Sequence, residues 1–198
     1  MYIQRLNIGG DRVVNEIVLA SESKWRKKIL DDAGIPARCV SSGVDESEII
    51  SDSPKNQARL RAEAKARAVA KTCPDDVVVG CDQVLEFDEQ AFGKAKDRDD
   101  ARARLKAFSG QTHYLHSAIV VFKDQKQQSL VVTAKMMMKE LSDDEIEAYL
   151  DTEEWVGCAG CYQYENQGGQ LFSSVEGDIT TIIGLPLSPL KRILQIVH

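Results

Sequence analysis

The chain has 198 residues, 43 % of them apolar, and a formal net charge of −6. That is enough apolar material for one full core, and the acidic balance excludes a surface built for nonspecific nucleic-acid binding, which needs a basic face. No apolar run reaches the length of a bilayer span and the amino terminus lacks the basic and apolar regions of a secretory signal, so the expected setting is the cytoplasm, with no membrane or nucleic-acid partner.

Residues 1–14 carry little pattern and read as an N-terminal extension to a single domain over 15–198. Glu16 to Ala20 is a short strand candidate. It runs through Ser21 and Ser23 into a helix on which Trp25, Ile29 and Ala33 share a face, ended by Gly34 and Pro36. The start of this helix carries Lys24, Arg26, Lys27 and Lys28, although the free amides and dipole of a first turn favour negative charge. Two readings follow. The cations and hydroxyls hold a phosphate-bearing ligand, or they are consumed in surface pairs four residues apart: Glu22 with Arg26, Lys27 with Asp31 and Lys28 with Asp32.

A second strand is expected near Ala37 to Ser41, followed by the acidic group Asp45, Glu46 and Glu48 in a polar loop. Such acids are either solvated or able to hold Mg²⁺, which prefers oxygen ligands. Ser53 and Pro54 start a long alanine-rich helix through Lys71. Ala58, Ala62, Lys65 and Val69 form one stripe on it, so Lys65 interrupts a packed face. Its ammonium either snorkels to a rim or enters a cleft beside an acid.

The run from Val77 to Leu85 is rich in β-branched residues and reads as a strand buried on both faces. Asp82 within it is the anomaly, because a buried carboxylate needs a metal, a cation or several donors to offset lost hydration; the alternative is an aspartate turning the chain at a strand end. After a turn at Asp88 to Gln90, Lys94 follows Gly93 in a short return. Asp97 caps a helix with Ala101, Leu105 and Phe108 inside, and Gly110 stops it. Strands near 114–123 and 129–138 suggest an antiparallel hairpin with its loop at 124–128. Ser142 and Glu145 have capping-box spacing for a helix over 142–151. A glycine-bearing loop spans 155–169, strands are expected near 171–175 and 180–183, and a last helix starts at Ser188 and Pro189.

Other chemistries fit poorly. His113, His116, Cys158 and Cys161 could supply four zinc ligands, but residues three apart on a strand point to opposite faces. Five cysteines are an odd number, mostly isolated, and reduced thiols are expected. The Cys158/Cys161 pair lacks a βαβ context for redox work, and no serine stands in a GxSxG or beside a histidine. By contrast, Ser21 to Arg26, Asp45, Glu46, Lys65, Asp82 and Lys94 together form the parts list of a polyphosphate site with a divalent metal.

The segments VLASESKWRKKIL, VDE, LRAEAKARAVA, VVVGCDQV, FSGQTH and IIGLPL occur in that order and resemble the Maf nucleotide pyrophosphatases over roughly residues 16 to 194. The resemblance implies an α/β, inosine triphosphatase-like (Maf/Ham1) fold, with two lobes around a central cleft and a mixed sheet. It also implies a homodimer that hydrolyses a nucleoside triphosphate between the α and β phosphates with Mg²⁺ or Mn²⁺. By position, Asp82 is then the catalytic acceptor and a metal ligand, with Glu46 and Asp45 as metal support. Lys65 and Lys94 act on phosphate, and Ser21, Ser23 and Arg26 make the phosphate turn.

Trp25, Gln83 and Glu165 fall where the family chooses its base and resemble the branch acting on 7-methyl-GTP more than the one acting on dTTP and UTP. An indole can stack on a methylated purine and a carboxylate can accept from a guanine edge; simple core packing remains the other reading of Trp25. The chain departs from the family pattern at Ala95, at Gly157 with Cys158, and at Asn166. A nucleotide-binding regulator of cell division with little catalysis is the alternative from another class.

Overall fold

The computed structural model describes residues 16–124 and 126–197, so the expected extension over 1–14 lies outside the described residues. The chain opens with β1 (Ile17–Ala20), α1 (Lys24–Asp32) and β2 (Ala37–Cys39), then α2 (Pro54–Ala70), β3 (Val78–Phe87) and the short β4 (Gln90–Phe92). It continues through α3 (Arg98–Phe108), the hairpin β5 (Thr112–Lys123) and β6 (Lys126–Met138), α4 (Asp143–Leu150), β7 (Phe172–Glu176), α5 (Ile179–Ile183) and α6 (Leu187–Val197). The strands form one open sheet in the order β2-β1-β3-β5-β6-β7, with β4 paired to β3. β1 runs parallel to β2 and β3, while β3, β5, β6 and β7 pair antiparallel. The sheet is therefore mixed, as expected.

Two faces of the same strands feed two cores. Ile17, Leu19, Val79 and Cys81 pack with Ile29 and Leu30 of α1 and with Leu190, Ile193 and Leu194 of α6. Val18, Ala20, Val78 and Val84 pack with Ala58, Ala62 and Ala66 of α2. This alternation is the period-two pattern of a strand covered on both sides. Past Val84, a third cluster of Leu85, Phe108, Leu115, Ile146 and Leu150 joins the far half of the sheet to α3 and α4. Asp82 thus lies on β3 where the first half of the molecule gives way to the second.

α2 sits unusually close to β3 because both surfaces are small. A Cβ at Gly80 would fall 2.2 Å from the Ala62 carbonyl oxygen and 2.7 Å from the Ala66 Cβ. Since that neighbour is helix backbone, Gly80→Ala is expected to push α2 outward, destabilise the fold by about 2 to 3 kcal/mol and separate the helix from Asp82. Urea midpoints and catalytic rate, measured on the same preparation, check this; unchanged values for both would refute it.

Three sequence expectations are corrected. The strand expected at 180–183 is the short helix α5: Asp178 caps it through the Thr180 amide and Gly184, at φ 110°, closes it. Tertiary packing of Thr181 and Ile182 outweighs the strand preference of β-branched residues. β3 extends two residues further than expected because Asp88 and Glu89, at φ 49° and 60°, make the tight turn into β4. β6 begins at Lys126 because backbone pairing of Gln127 and Gln128 with Phe122 and Val121 needs no apolar side chains.

Candidate active site

Asp82 is only 4 % exposed. Lys65, 7 % exposed, comes off α2 and sets its Nζ 2.7 Å from Asp82 Oδ1 and 2.6 Å from Glu46 Oε1. One ammonium thus bridges two carboxylates from separate elements. Asp82 Oδ2 is enclosed and has no hydrogen-bond partner among the described residues. Asp45 and Glu46 divide the work: Asp45 accepts from the Ser47 amide and hydroxyl at 2.9 and 2.7 Å and caps a 3-10 turn over Glu46–Glu48, which turns Glu46 toward Lys65.

The two carboxyls are pushed apart in acidity. Burial raises Asp82 above the ordinary aspartate value, against the pull of Lys65 and Arg26, and the Glu46 charge adds to the rise. For Glu46 burial also acts upward, but the Lys65 hydrogen bond and the charges of Lys65, Arg61 and Lys94 outweigh it and hold the carboxyl below the ordinary glutamate value. A carboxyl with raised proton affinity beside one held ionised is a pair whose members can take different parts in proton transfer.

The turn after β1 supplies the cation. Ser21 Oγ accepts the Ser23 amide at 3.2 Å and Arg26 Nη1 at 3.2 Å, while Ser23 Oγ caps α1 through the Arg26 amide. Arg26 further donates from Nη1 to the Cys81 carbonyl at 2.9 Å and from Nε to the Gly184 carbonyl at 3.0 Å. The guanidinium is therefore anchored by three of its five N–H groups, and its Nη2 pair has no acceptor among the described residues. Lys27 and Lys28 do form the surface pairs with Asp31 and Asp32, but Glu22 turns to Ser41 and leaves Arg26 to the site. The surface-pair reading of the basic helix start thus holds for Lys27 and Lys28 and fails for Arg26.

Lys94 is exposed, and its charge reaches Glu46 and Cys158. Trp25 is partly exposed and is not among the apolar residues packed on the three clusters of described residues. Gln83 points to the face opposite Asp82, where its amide nitrogen meets Ser117 and α5. Glu165 lies in the 155–169 loop, half-buried, with its carboxyl raised by burial and by the Glu154 charge.

Sequence reasoning missed four groups here. Arg61 is one turn before Lys65, so the same helical stripe held the signal. Glu154 accepts the Gln167 and Gly168 amides at 3.3 and 3.1 Å, and the Tyr149 hydroxyl accepts the Gln163 amide at 3.1 Å; together they pin the loop bearing Glu165. Ser117 on β5 accepts the Gln83 amide at 2.8 Å and donates to the Thr181 carbonyl at 2.7 Å. The expected opposition of His113 and His116 holds: His113 meets the Tyr162 hydroxyl at 2.7 Å, whereas His116 lies between Thr133 and Glu86 at 2.8 and 2.7 Å. Burial lowers His113 to about 4, so it is neutral at physiological pH. All five cysteines are free.

An open mixed sheet with helices on both faces, with a lysine-bridged carboxylate buried on β3, makes this an α/β protein of the inosine triphosphatase-like fold. The Ham1 protein of Staphylococcus aureus shares this fold, with a TM-score of 0.52 at 15 % identity over 93 % of this chain and 100 % of that one. The model of the Maf-like protein family matches residues 16–197, and the chain belongs to that family. It is 41 % identical to a nucleoside triphosphate pyrophosphatase of Nitrobacter hamburgensis, over 90 % of this chain and 92 % of the relative. It is 39 % identical to a 7-methyl-GTP pyrophosphatase of Brucella suis, over 91 % and 95 %. Among the described residues no helix is long and apolar enough to cross a membrane.

Proposed function

We propose that this chain is a nucleoside triphosphate pyrophosphatase that cleaves the α–β anhydride with a divalent cation and prefers 7-methyl-GTP. The observation that carries the reading is the Glu46–Lys65–Asp82 bridge, with one Asp82 oxygen enclosed and unpartnered. Among the described residues no three His, Cys, Asp or Glu side chains converge. Asp82 and Glu46 nonetheless fit Mg²⁺ or Mn²⁺, because such an ion usually takes one or two carboxylates and completes its shell with phosphate oxygens and water. When bound, the ion supplies neutralisation of charge developing on the phosphate oxygens.

The chain's own groups supply the rest. Lys65 fixes Asp82 through Oδ1, which leaves Oδ2 to orient a water and accept its proton. The Arg26 Nη2 pair and Lys94 meet phosphate oxygens, and the Ser21 hydroxyl donates to another. The names of the Nitrobacter and Brucella relatives support the bond cleaved, and Trp25 with Glu165 supports a methylated purine through stacking and charge. A panel of 7-methyl-GTP, GTP, dTTP and UTP, assayed for pyrophosphate with Mg²⁺ and then with excess chelator, checks both finer points. The expected order puts 7-methyl-GTP first, with turnover abolished by chelation; a first place for dTTP or UTP, or turnover unaffected by chelator, would overturn the corresponding point.

A further inference from the structure

We infer that Ser117 is a positioning residue that fixes Gln83 with its carbonyl oxygen toward the ligand, so that the base site offers an acceptor and selects a base edge bearing N–H donors. The inference rests on the reading of Gln83 as a base-facing residue. Gln83 Nε2 lies 2.8 Å from Ser117 Oγ, 3.1 Å from the Thr181 carbonyl and 3.0 Å from the Ile182 carbonyl. Two of those three are backbone carbonyls, which only accept. Rotating the amide by 180° would set its oxygen against both, so the nitrogen is fixed inward. Gln83 Oε1 accepts no hydrogen bond among the described residues and is absent from their enclosed, unpartnered atoms. It is therefore an accessible acceptor.

Ser117 is the member of this set that stands on the sheet. Its side chain is fully buried on β5, opposite Gln83 in the strand pairing, and its hydroxyl donates to the Thr181 carbonyl at 2.7 Å while accepting from Gln83. The other two acceptors belong to α5, a helix of five residues, where the Thr181 carbonyl also accepts the capping Gly184 amide at 3.1 Å. Ser117 ties that helix end and the Gln83 amide to the same strand. Arg26 holds the next turn through the Gly184 carbonyl, so the phosphate cation and the base acceptor share one support.

Guanine presents N1–H and its amino group as adjacent donors, whereas adenine presents an acceptor at N1. An outward carbonyl accordingly favours GTP over ATP. The test is the ratio of kcat/KM for GTP to that for ATP in wild type, Ser117→Ala, Ser117→Thr and Gln83→Met, with pyrophosphate as the readout. Both substrates meet the same enzyme, so the ratio does not depend on how much of a variant is folded. Gln83→Met is expected to lower it by about tenfold and Ser117→Ala by several-fold, through KM for GTP, with Ser117→Thr restoring it. A wild-type ratio near one, or a Ser117→Ala ratio equal to wild type, overturns the inference and leaves the activity standing. Absence of pyrophosphate from both nucleotides in the wild type overturns the activity and the inference with it.

Discussion

Asp82→Asn is expected to lower kcat by about 10³-fold while the protein stays folded. Asparagine keeps the size of the side chain and can still accept from Lys65, so the 2.7 Å contact survives with a weaker partner. What it cannot do is take a proton from water or ligate a cation at the second oxygen. Stability should change little, because two effects oppose each other. The ionised carboxylate is disfavoured by burial in the folded state, and its removal relieves that cost. Lys65, however, loses one of its two anions and retains Glu46. A melting temperature within a few degrees of wild type, alongside the lost turnover, would separate chemistry from folding. Near-normal kcat would remove Asp82 from the reaction.

Lys65→Met is expected to be the most damaging change to stability. It leaves Asp82 enclosed without a cation, and breaking one side of a buried pair costs about 3 kcal/mol or more at neutral pH, which lowers the melting temperature by roughly 10 °C for a chain of this size. The pH dependence has a definite sign. The folded Asp82 carboxyl is raised above its unfolded value of 3.8, so its contribution is most favourable below that value and is lost as pH rises through the folded one. Removing Lys65 enlarges the raise. Glu46 is held below its unfolded value of 4.5 chiefly through Lys65, so its stabilisation is present above 4.5 in the wild type and is lost in the variant. Both effects widen the deficit as pH increases. Melting curves from acid to neutral pH should show the two proteins closest near pH 4 and farthest apart near neutrality, and the acid limb of kcat/KM should move to higher pH in the variant. A deficit independent of pH would mean that Lys65 contributes by packing alone.

The parts of this site that were legible in the sequence are those that break a local rule. Asp82 interrupts a buried strand, Lys65 interrupts an apolar helical stripe, and Arg26 stands at the wrong end of a helix; each mismatch has its explanation in the contact that resolves it. The parts that were not legible obey local rules while serving distant partners. Asp45 and Glu46 are equivalent as neighbouring acids, and only the 3-10 turn distinguishes a cap from a lysine partner. Ser117 is an ordinary small residue on a strand, and its role depends on carbonyls 64 residues away along the chain. For α5, five β-branched and apolar residues favour a strand locally, and the helix exists because Asp178 and Gly184 close it against Gln83, Ser117 and Arg26. The sheet order likewise followed from no pattern within one element, since β1 reaches β3 only across the whole of α2.

In the proposed reaction a water oriented by Asp82 attacks at the α–β linkage of a nucleoside triphosphate. Single-turnover hydrolysis of 7-methyl-GTP or GTP by wild type and Asp82→Asn, with pyrophosphate and orthophosphate resolved, tests it most directly. Pyrophosphate and nucleoside monophosphate in equal amounts from the wild type, with neither formed at a comparable rate by the variant, is the predicted result. Orthophosphate and a nucleoside diphosphate, or equal pyrophosphate release by the two proteins, would contradict it.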